Sequence, residues 1–233
     1  MGHPTTNEQK RFWDNWIAES TAWEQNPDNA RRAEIVLDVA RARRHAKILE
    51  IGCGSGWLAL QLAEFGQVTA VDIGIETIER LKALHPLVTW IGGDFLSLDL
   101  PPQSFDLIVS METISHVADQ EAFADKIASL AAPGCDLVLT TQNPLVWSRV
   151  SSLKPPRPGQ LRNWPTRERL LALFGPHFAL EPLRTCAAGK GDLGFFRVLR
   201  GFRKICRLVG DQWWLLEERL GLGCSLVLLG KRH

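Results

Sequence analysis

The stretch Lys47-Ile-Leu-Glu-Ile-Gly-Cys-Gly-Ser-Gly-Trp-Leu-Ala-Leu60 decides how the rest of the chain is read. Its apolar run, Ile48-Leu49-Glu50-Ile51, has the length and composition of a buried parallel strand ending in an acid. Glycines then occupy alternate positions, Gly52, Gly54 and Gly56, where side chains would block a ligand or force strained dihedrals. The helical pattern Trp57-Leu-Ala-Leu-Gln-Leu-Ala63 begins at once. A strand, a bare turn and a helix N-terminus make a platform for a nucleotide-like ligand.

The spacing separates two versions of that platform. A dinucleotide site prefers G-x-G-x-x-G, with a pyrophosphate on the helix N-terminus. Here the pattern is G-x-G-x-G preceded by Glu50, and a carboxylate beside the turn suits a cationic or amino-bearing ligand better than a diphosphate. The stretch resembles motif I of the class I S-adenosylmethionine-dependent methyltransferases, in which E/D-x-G-x-G-x-G cradles the methionine end of the cofactor.

The neighbouring segments agree in order and in placement. Val68-Thr-Ala-Val-Asp72 reads as a second strand ending in an acid, at the distance expected for a carboxylate that accepts from two ribose hydroxyls. After a helix and a third strand, Leu87-Val-Thr-Trp-Ile91, comes Gly93-Asp94-Phe95, which resembles the family's adenine site: an acid for the exocyclic amine beside an apolar ring wall. A fourth strand, Phe105–Met111, follows. The resemblance implies S-adenosyl-L-methionine as cofactor and S-adenosyl-L-homocysteine as product. It implies a cofactor site of Glu50, Gly52, Cys53, Gly54, Gly56, Asp72, Ile73, Asp94, Phe95, Ser110 and Met111.

With 233 residues, 45% hydrophobic and 23% charged, the chain fits one large domain of a soluble protein. From 47 to 141 strand and helix patterns alternate, which is the signature of βαβ units and a parallel sheet. The expected fold is α/β, a doubly wound Rossmann-like sheet. The resemblance makes it seven-stranded with an antiparallel last strand, Cys224-Ser-Leu-Val-Leu-Leu-Gly230. The single domain then divides into N-terminal helices (1–46), a cofactor-binding core (47–141), an acceptor-side region (142–222) with a helical insertion at 188–222, and the last strand (223–233). His177–Cys186 is the expected sixth strand.

The net charge of +1 gives no global pull toward nucleic acid, and no nucleic-acid module is recognisable. Five scattered cysteines show no metal-binding spacing, so no metal is expected, and they suit a reducing compartment. With neither a membrane-length apolar run nor a signal-peptide pattern, a cytoplasmic location is expected.

Two regions carry patterns of their own. Phe12, Trp13, Trp16, Ile17 and Trp23 recur at helical spacing, an aromatic face that packs on the sheet edge or, by resemblance to family members, closes over the cofactor. A second helical pattern, Ala33–Ala42, ends in Arg41, Arg43 and Arg44. In the insertion, Phe195, Val198, Leu199, Phe202, Ile205, Cys206 and Val209 form an apolar stripe, with Arg197, Arg200, Arg203, Lys204 and Arg207 around it. Such a basic amphipathic helix, 195–209, suits a peripheral membrane surface or an anionic acceptor; the plain alternative is a solvated face. From Trp147 to Gly210 thirteen Lys/Arg stand against three acids, an asymmetry that favours an anionic or lipid-linked acceptor.

Ser110-Met-Glu-Thr-Ile-Ser-His-Val117 resembles the "ME-x-x-EHV" run of the ubiquinone-pathway O-methyltransferases. Ser115 replaces that family's second acid, and His116 is retained. The resemblance implies transfer of a methyl group to a hydroxyl of a small molecule, with His116 as the catalytic base, since an imidazole takes a hydroxyl proton near neutral pH. A structural cap or core group is the alternative for this histidine, and Glu112 is either an orienting group or a polar wall. The N/D-P-P-Y/F run of methyltransferases acting on planar nitrogens is absent at this place. Methylation of an aliphatic amine, or cofactor binding without catalysis, are the other readings the residues leave open. They do not assign an oligomeric state.

Overall fold

The computed structural model describes residues 3–19, 26–42, 46–199 and 213–233. Two helices, α1 (Thr6–Glu19) and α2 (Pro27–Ala42), precede the strand-helix alternation β1 (Ala46–Ile51), α3 (Trp57–Leu62), β2 (Gly66–Asp72), α4 (Ile75–Leu84), β3 (Thr89–Gly92), β4 (Phe105–Met111), α5 (Gln120–Leu130) and β5 (Ala131–Gln142). The chain continues through α6 (Pro144–Trp147), α7 (Arg167–Phe174), β6 (Phe178–Leu180), β7 (Arg184–Cys186), α8 (Trp213–Arg219) and β8 (Ser225–Arg232). Trp23, Arg43, Arg44, Arg200, Phe202, Arg203, Lys204, Ile205, Cys206, Arg207 and Val209, all singled out in the sequence, lie outside the described residues.

Strand order is β3-β2-β1-β4-β5-β8-β6. The first five strands pair in parallel, and β8 runs antiparallel against β5, from Asp136 opposite Lys231 to Gln142 opposite Ser225. The expected sixth strand is present as two short pieces, β6 and β7, both paired with β8. Pro182 lies between them and has no N–H to give to the ladder, so pairing stops after Glu181 donates to Leu229.

The parallel strands bury side chains on both faces, as their near-continuous apolar sequences require. Ile48, Leu107, Val109 and Val138 pack with Val36, Leu58, Ile78 and Trp90. Their alternate neighbours Leu49, Ile108, Leu137 and Leu139 pack with Phe123, Ile127, Phe174 and Phe178. The chain order reverses between β1 and β4, and this switch point opens a crevice beyond the carboxyl ends of the strands, where α/β sheets take their ligands.

The first helix is attached over that crevice by a cap it gives to another helix. The N-cap of α4 is Gly74, which has no side chain to accept the free N–H groups of the first turn. Asp14 of α1 fills that role, its Oδ1 accepting from the Thr77 backbone N–H at 3.2 Å and from the Thr77 hydroxyl at 3.3 Å. Behind it, Arg157 lies over the Trp16 ring at 5.1 Å, and Gly159 passes so close to Glu8 that a Cβ there would sit 2.7 Å from its carbonyl oxygen.

The start of the insertion corrects the expected apolar stripe. Residues 195–199 are helical, but Phe195 and Val198 are 64% and 57% exposed, while Phe196 and Leu199 are buried against Val146, Ala187 and Cys224. Phe196 turns inward because Gly191 leaves room for its ring; a Cβ at Gly191 would stand 2.5 Å from it.

Removing the borrowed cap should loosen α1. Asp14→Ala is expected to lower stability by about 1 kcal/mol, the usual cost of a lost N-cap. Amide exchange should speed up in α1 and in the first turn of α4, leaving β4 and β5 protected.

Candidate functional site

A cavity of about 550 Å³ lies at the switch point, between the glycine turn, the ends of β2 and β4, α1 and the segment before α7. The turn after β1 is clamped to β2, with the N–H groups of Gly52 and Cys53 both donating to the Val71 carbonyl at 2.8 and 3.1 Å. The three glycines are bare for different reasons. At Gly52, φ is +78° and a Cβ would stand 2.1 Å from Thr113 Oγ1; at Gly56, φ is +79° and a Cβ would stand 2.6 Å from Trp90. At these two, packing and a positive φ together exclude a side chain, which is the strained-dihedral side of the expectation. Only Gly54 faces open space.

Asp72 joins the two turns. One carboxylate oxygen accepts from the Gly54 N–H and the other from the Gly74 N–H, each at 2.8 Å. Burial raises its pKa, against the lowering effect of these two bonds. Each oxygen keeps a lone pair for a hydroxyl in the cavity. Ile73 lines the cavity beside it. Cys53 also lines it, but burial holds its thiol well above the usual range, so it is a packing residue rather than a nucleophile.

Glu50 is 2% exposed, and its Oε2 has no hydrogen-bond partner. Desolvation, with the Asp72 charge adding to it, pushes its pKa up to about 8. A buried carboxyl lacking a donor is unfavourable, and it faces the place where an amine-bearing ligand would supply one. Asp94 accepts from the Leu96 N–H at 3.1 Å and so caps the short 3-10 turn Phe95–Ser97. Phe95 meets Phe123 edge-on at 5.3 Å and forms an apolar wall. Together the three acids line the cavity with acceptor oxygens, a lining that suits a donor-bearing ligand better than a pyrophosphate, which itself only accepts. Among the described residues no cluster of His, Cys, Asp or Glu could hold a metal ion.

At the end of β4 the two expected residues part. Met111 lines the cavity, whereas Ser110 is fully buried in the strand and takes no part in the wall. Glu112 has φ +59°, a left-handed conformation held by its N–H bond to the Thr140 carbonyl at 2.9 Å. That turn aims its carboxylate at Arg32 of α2, 3.2 Å away, and at the Ser225 hydroxyl, 2.9 Å away. Arg32 is buried and also donates to Ser225 and Asn29. Glu112 is thereby a half-buried partner of the buried Arg32, tying α2 to β4 and β8.

His116 ends the 3-10 turn Ile114–His116. Its Nδ1 lies 2.7 Å from the Leu161 carbonyl, which can only accept, so Nδ1 carries the proton and Nε2 is a bare acceptor. The ring meets Trp13 of α1 at 4.7 Å. It lines the cavity yet sits deep in the protein, and desolvation, with the nearby Arg162 charge adding to it, lowers its pKa to about 4 despite the Leu161 bond. This corrects the expectation of a base that titrates near neutrality. The same segment binds Ser115, whose carbonyl accepts from the Asn163 N–H at 2.8 Å. Trp147, Arg162, Trp164 and Lys190 complete this end of the cavity, and none was foreseen as a site residue. Only the Arg162-Asn-Trp164 run after a Pro-rich connection marked the place in the sequence.

Comparison with known proteins follows the same division. Residues 48–134 match the methyltransferase domain family. The chain is 33% identical over 140 residues to a ubiquinone biosynthesis O-methyltransferase of Xanthomonas euvesicatoria, covering 57% of this chain and 56% of that protein. It is 32% identical over 97 residues to an uncharacterized methyltransferase of Mycobacterium tuberculosis, covering 40% and 49%. It thus spans about half the length of the curated relatives it matches. Among solved structures it resembles the N-methyltransferase NodS of Bradyrhizobium japonicum, in complex with S-adenosyl-L-homocysteine (TM-score 0.66, 16% identity, 97% of this chain and 98% of that one). It also resembles the [4+2]-cyclase SpnF (TM-score 0.64, 17% identity, 100% and 97%). At these identities the structural likeness is one of fold, and the presence of a cyclase among them shows that this fold hosts more than one chemistry.

The displaced pKa values of Glu50 and His116 act on stability in opposite directions. Glu50 is raised, so its contribution is fully present below pH 4.5 and is lost as pH rises through about 8. His116 is lowered, so its contribution is present above pH 6.5 and is lost as pH falls through about 4. Between pH 6.5 and 8 Glu50 therefore acts without His116. Denaturant unfolding of the ligand-free protein should show stability falling across that window by up to about 2 kcal/mol, and Glu50→Gln should remove the slope.

Proposed function

We propose that this chain, whose residues 48–134 match the methyltransferase domain family, transfers a methyl group from S-adenosyl-L-methionine to a hydroxyl of a small molecule. The observation that supports the reading is that one cavity is lined by Glu50, Gly54, Asp72 and Asp94 and also by His116, whose Nε2 is a bare acceptor. In this reading Glu50 meets the amino group of the cofactor, Asp72 the ribose hydroxyls and Asp94 the adenine amine beside Phe95. When bound, the cofactor supplies an electrophilic methyl group on a positively charged sulfur.

The protein's own residues hold, shield and deprotonate. Trp13 and the aromatic face of α1 keep water away from His116. Leu161 fixes the imidazole tautomer, so that Nε2 accepts the acceptor's hydroxyl proton as its oxygen acquires the methyl. A base of pKa about 4 is weak but unprotonated throughout the neutral range, and positioning supplies most of the acceleration. The names of the ubiquinone-pathway relatives favour oxygen over nitrogen as the acceptor atom. The buried thiols of Cys53, Cys186 and Cys224 favour a reducing, cytoplasmic setting. Exposed Phe195 and Val198 beside Arg197 support contact of this segment with an anionic membrane surface.

Calorimetry should show S-adenosyl-L-homocysteine binding and NAD failing to bind; the reverse order would overturn the reading. With the acceptor found by transfer of labelled methyl into fractionated extract, His116→Gln should lower kcat about 10²-fold and spare cofactor affinity, the low end of the usual range because the base is weak. The acid limb of the wild-type kcat/KM profile should lie near pH 4 rather than near 6.5.

A further inference from the structure

Among the described residues three cationic side chains line the cavity: Arg32, Arg162 and Lys190. Two are neutralised. Lys190 pairs with Asp28 at 2.5 Å and Arg32 with Glu112 at 3.2 Å. Arg162 differs, because among the described residues no carboxylate stands against it. One of its N–H groups donates to the Lys154 carbonyl at 2.8 Å, and the guanidinium plane lies over Trp164, 5.3 Å from the ring centroid. A guanidinium has five N–H donors, so most of its donor capacity is uncommitted. Burial acts on it with no acid to compensate.

Its place in the chain gives this charge a use. Leu161, the preceding residue, holds His116 Nδ1, and Asn163, the following one, holds Ser115. The wall that orients the proton acceptor is therefore the wall that carries the uncompensated cation. Trp164 under the guanidinium, with Trp147 tilted beside it at 6.2 Å, offers flat apolar surface next to it. A protonated amine entering this end would meet a like charge, whereas a carboxylate or phosphate would complete the pairing that Arg32 and Lys190 already have.

We propose that Arg162 is a specificity-determining residue that binds an anionic group of the acceptor, a carboxylate or phosphate carried on a flat ring, while the hydroxyl to be methylated lies at His116. This rests on the methyltransferase reading above and extends it to the class of acceptor. Arg162 is held by Lys154 and Trp164, whereas Asp72 is held by the Gly54 and Gly74 turns, so its charge is expected to act on acceptor choice and to leave cofactor affinity unchanged.

The test uses the full chain saturated with S-adenosyl-L-homocysteine and three probes: 3-hydroxybenzoate, 3-hydroxyphenyl phosphate and neutral 3-hydroxybenzyl alcohol. Tryptophan fluorescence reports binding. At least one anionic probe should bind about ten-fold or more tighter than the alcohol, as a charge-assisted bidentate contact requires, and the tighter of the two identifies the anion. Arg162→Gln should reduce that preference to within about two-fold, and Arg162→Lys, which keeps the charge without the fork, should retain part of it. Unchanged S-adenosyl-L-homocysteine affinity in both variants shows that they are folded. If S-adenosyl-L-homocysteine binds but the anionic probes bind no better than the alcohol, or keep their preference in Arg162→Gln, the inference is overturned. If S-adenosyl-L-homocysteine itself fails to bind the wild type, the methyltransferase reading fails instead.

Discussion

The carboxylate of Asp72 is the constraint on which the cofactor end of the cavity depends. Its two oxygens bind the Gly54 and Gly74 N–H groups, so the turns after β1 and β2 are set by one side chain at the end of β2. A charged acceptor with two short backbone bonds is among the stronger hydrogen-bonded arrangements available to a loop. Its cost is burial, which raises the carboxyl pKa. The same residue adds its charge to the burial that pushes Glu50 up to about 8. Order in the turn and the protonation of its acid are therefore one electrostatic problem, and a cationic ligand group beside Glu50 relieves it.

The acceptor end depends on contacts between segments far apart in the chain. Arg32 of α2 meets Glu112 beyond β4 and Ser225 at the start of β8. Leu161, from the connection before α7, sets the tautomer of His116, and Trp13 of α1 covers its ring. Buried pairs such as Arg32 with Glu112 contribute little net stability in general, but breaking one is costly, because it strands a charge away from water. The left-handed backbone at Glu112 is accordingly held from two sides, by the Thr140 carbonyl and by this pair.

Burial moves the Glu50 carboxyl upward and the His116 imidazole downward, each toward neutrality, as it also raises Asp72 and Cys53. One cause, burial in a poorly polarisable interior, explains both directions, since the charged form of each is the one disfavoured. Arg162 is the exception, because a guanidinium does not give up its proton in a protein and must keep its charge whatever the surroundings.

The sequence by itself determined the sheet and which of its strand-end residues gather at the switch point. Strand periodicity, alternate glycines and acids at strand ends are local patterns, and Glu50, Gly54, Asp72, Asp94 and Phe95 all line the one cavity there. Tertiary structure decided the rest. That Gly52 and Gly56 are bare because of Thr113 and Trp90 is a matter of neighbours from other elements, as is the inward turn of Phe196 against Gly191. The split of β6 from β7 lay within reach of the sequence, because Pro182 was visible in it. The low pKa of His116, the cap that Asp14 lends to α4 and the absence, among the described residues, of a carboxylate against Arg162 were not. Each depends on which group from a distant segment lies opposite, and spacing along one segment carries no information about that; only the folded packing brings the partners, or leaves one out.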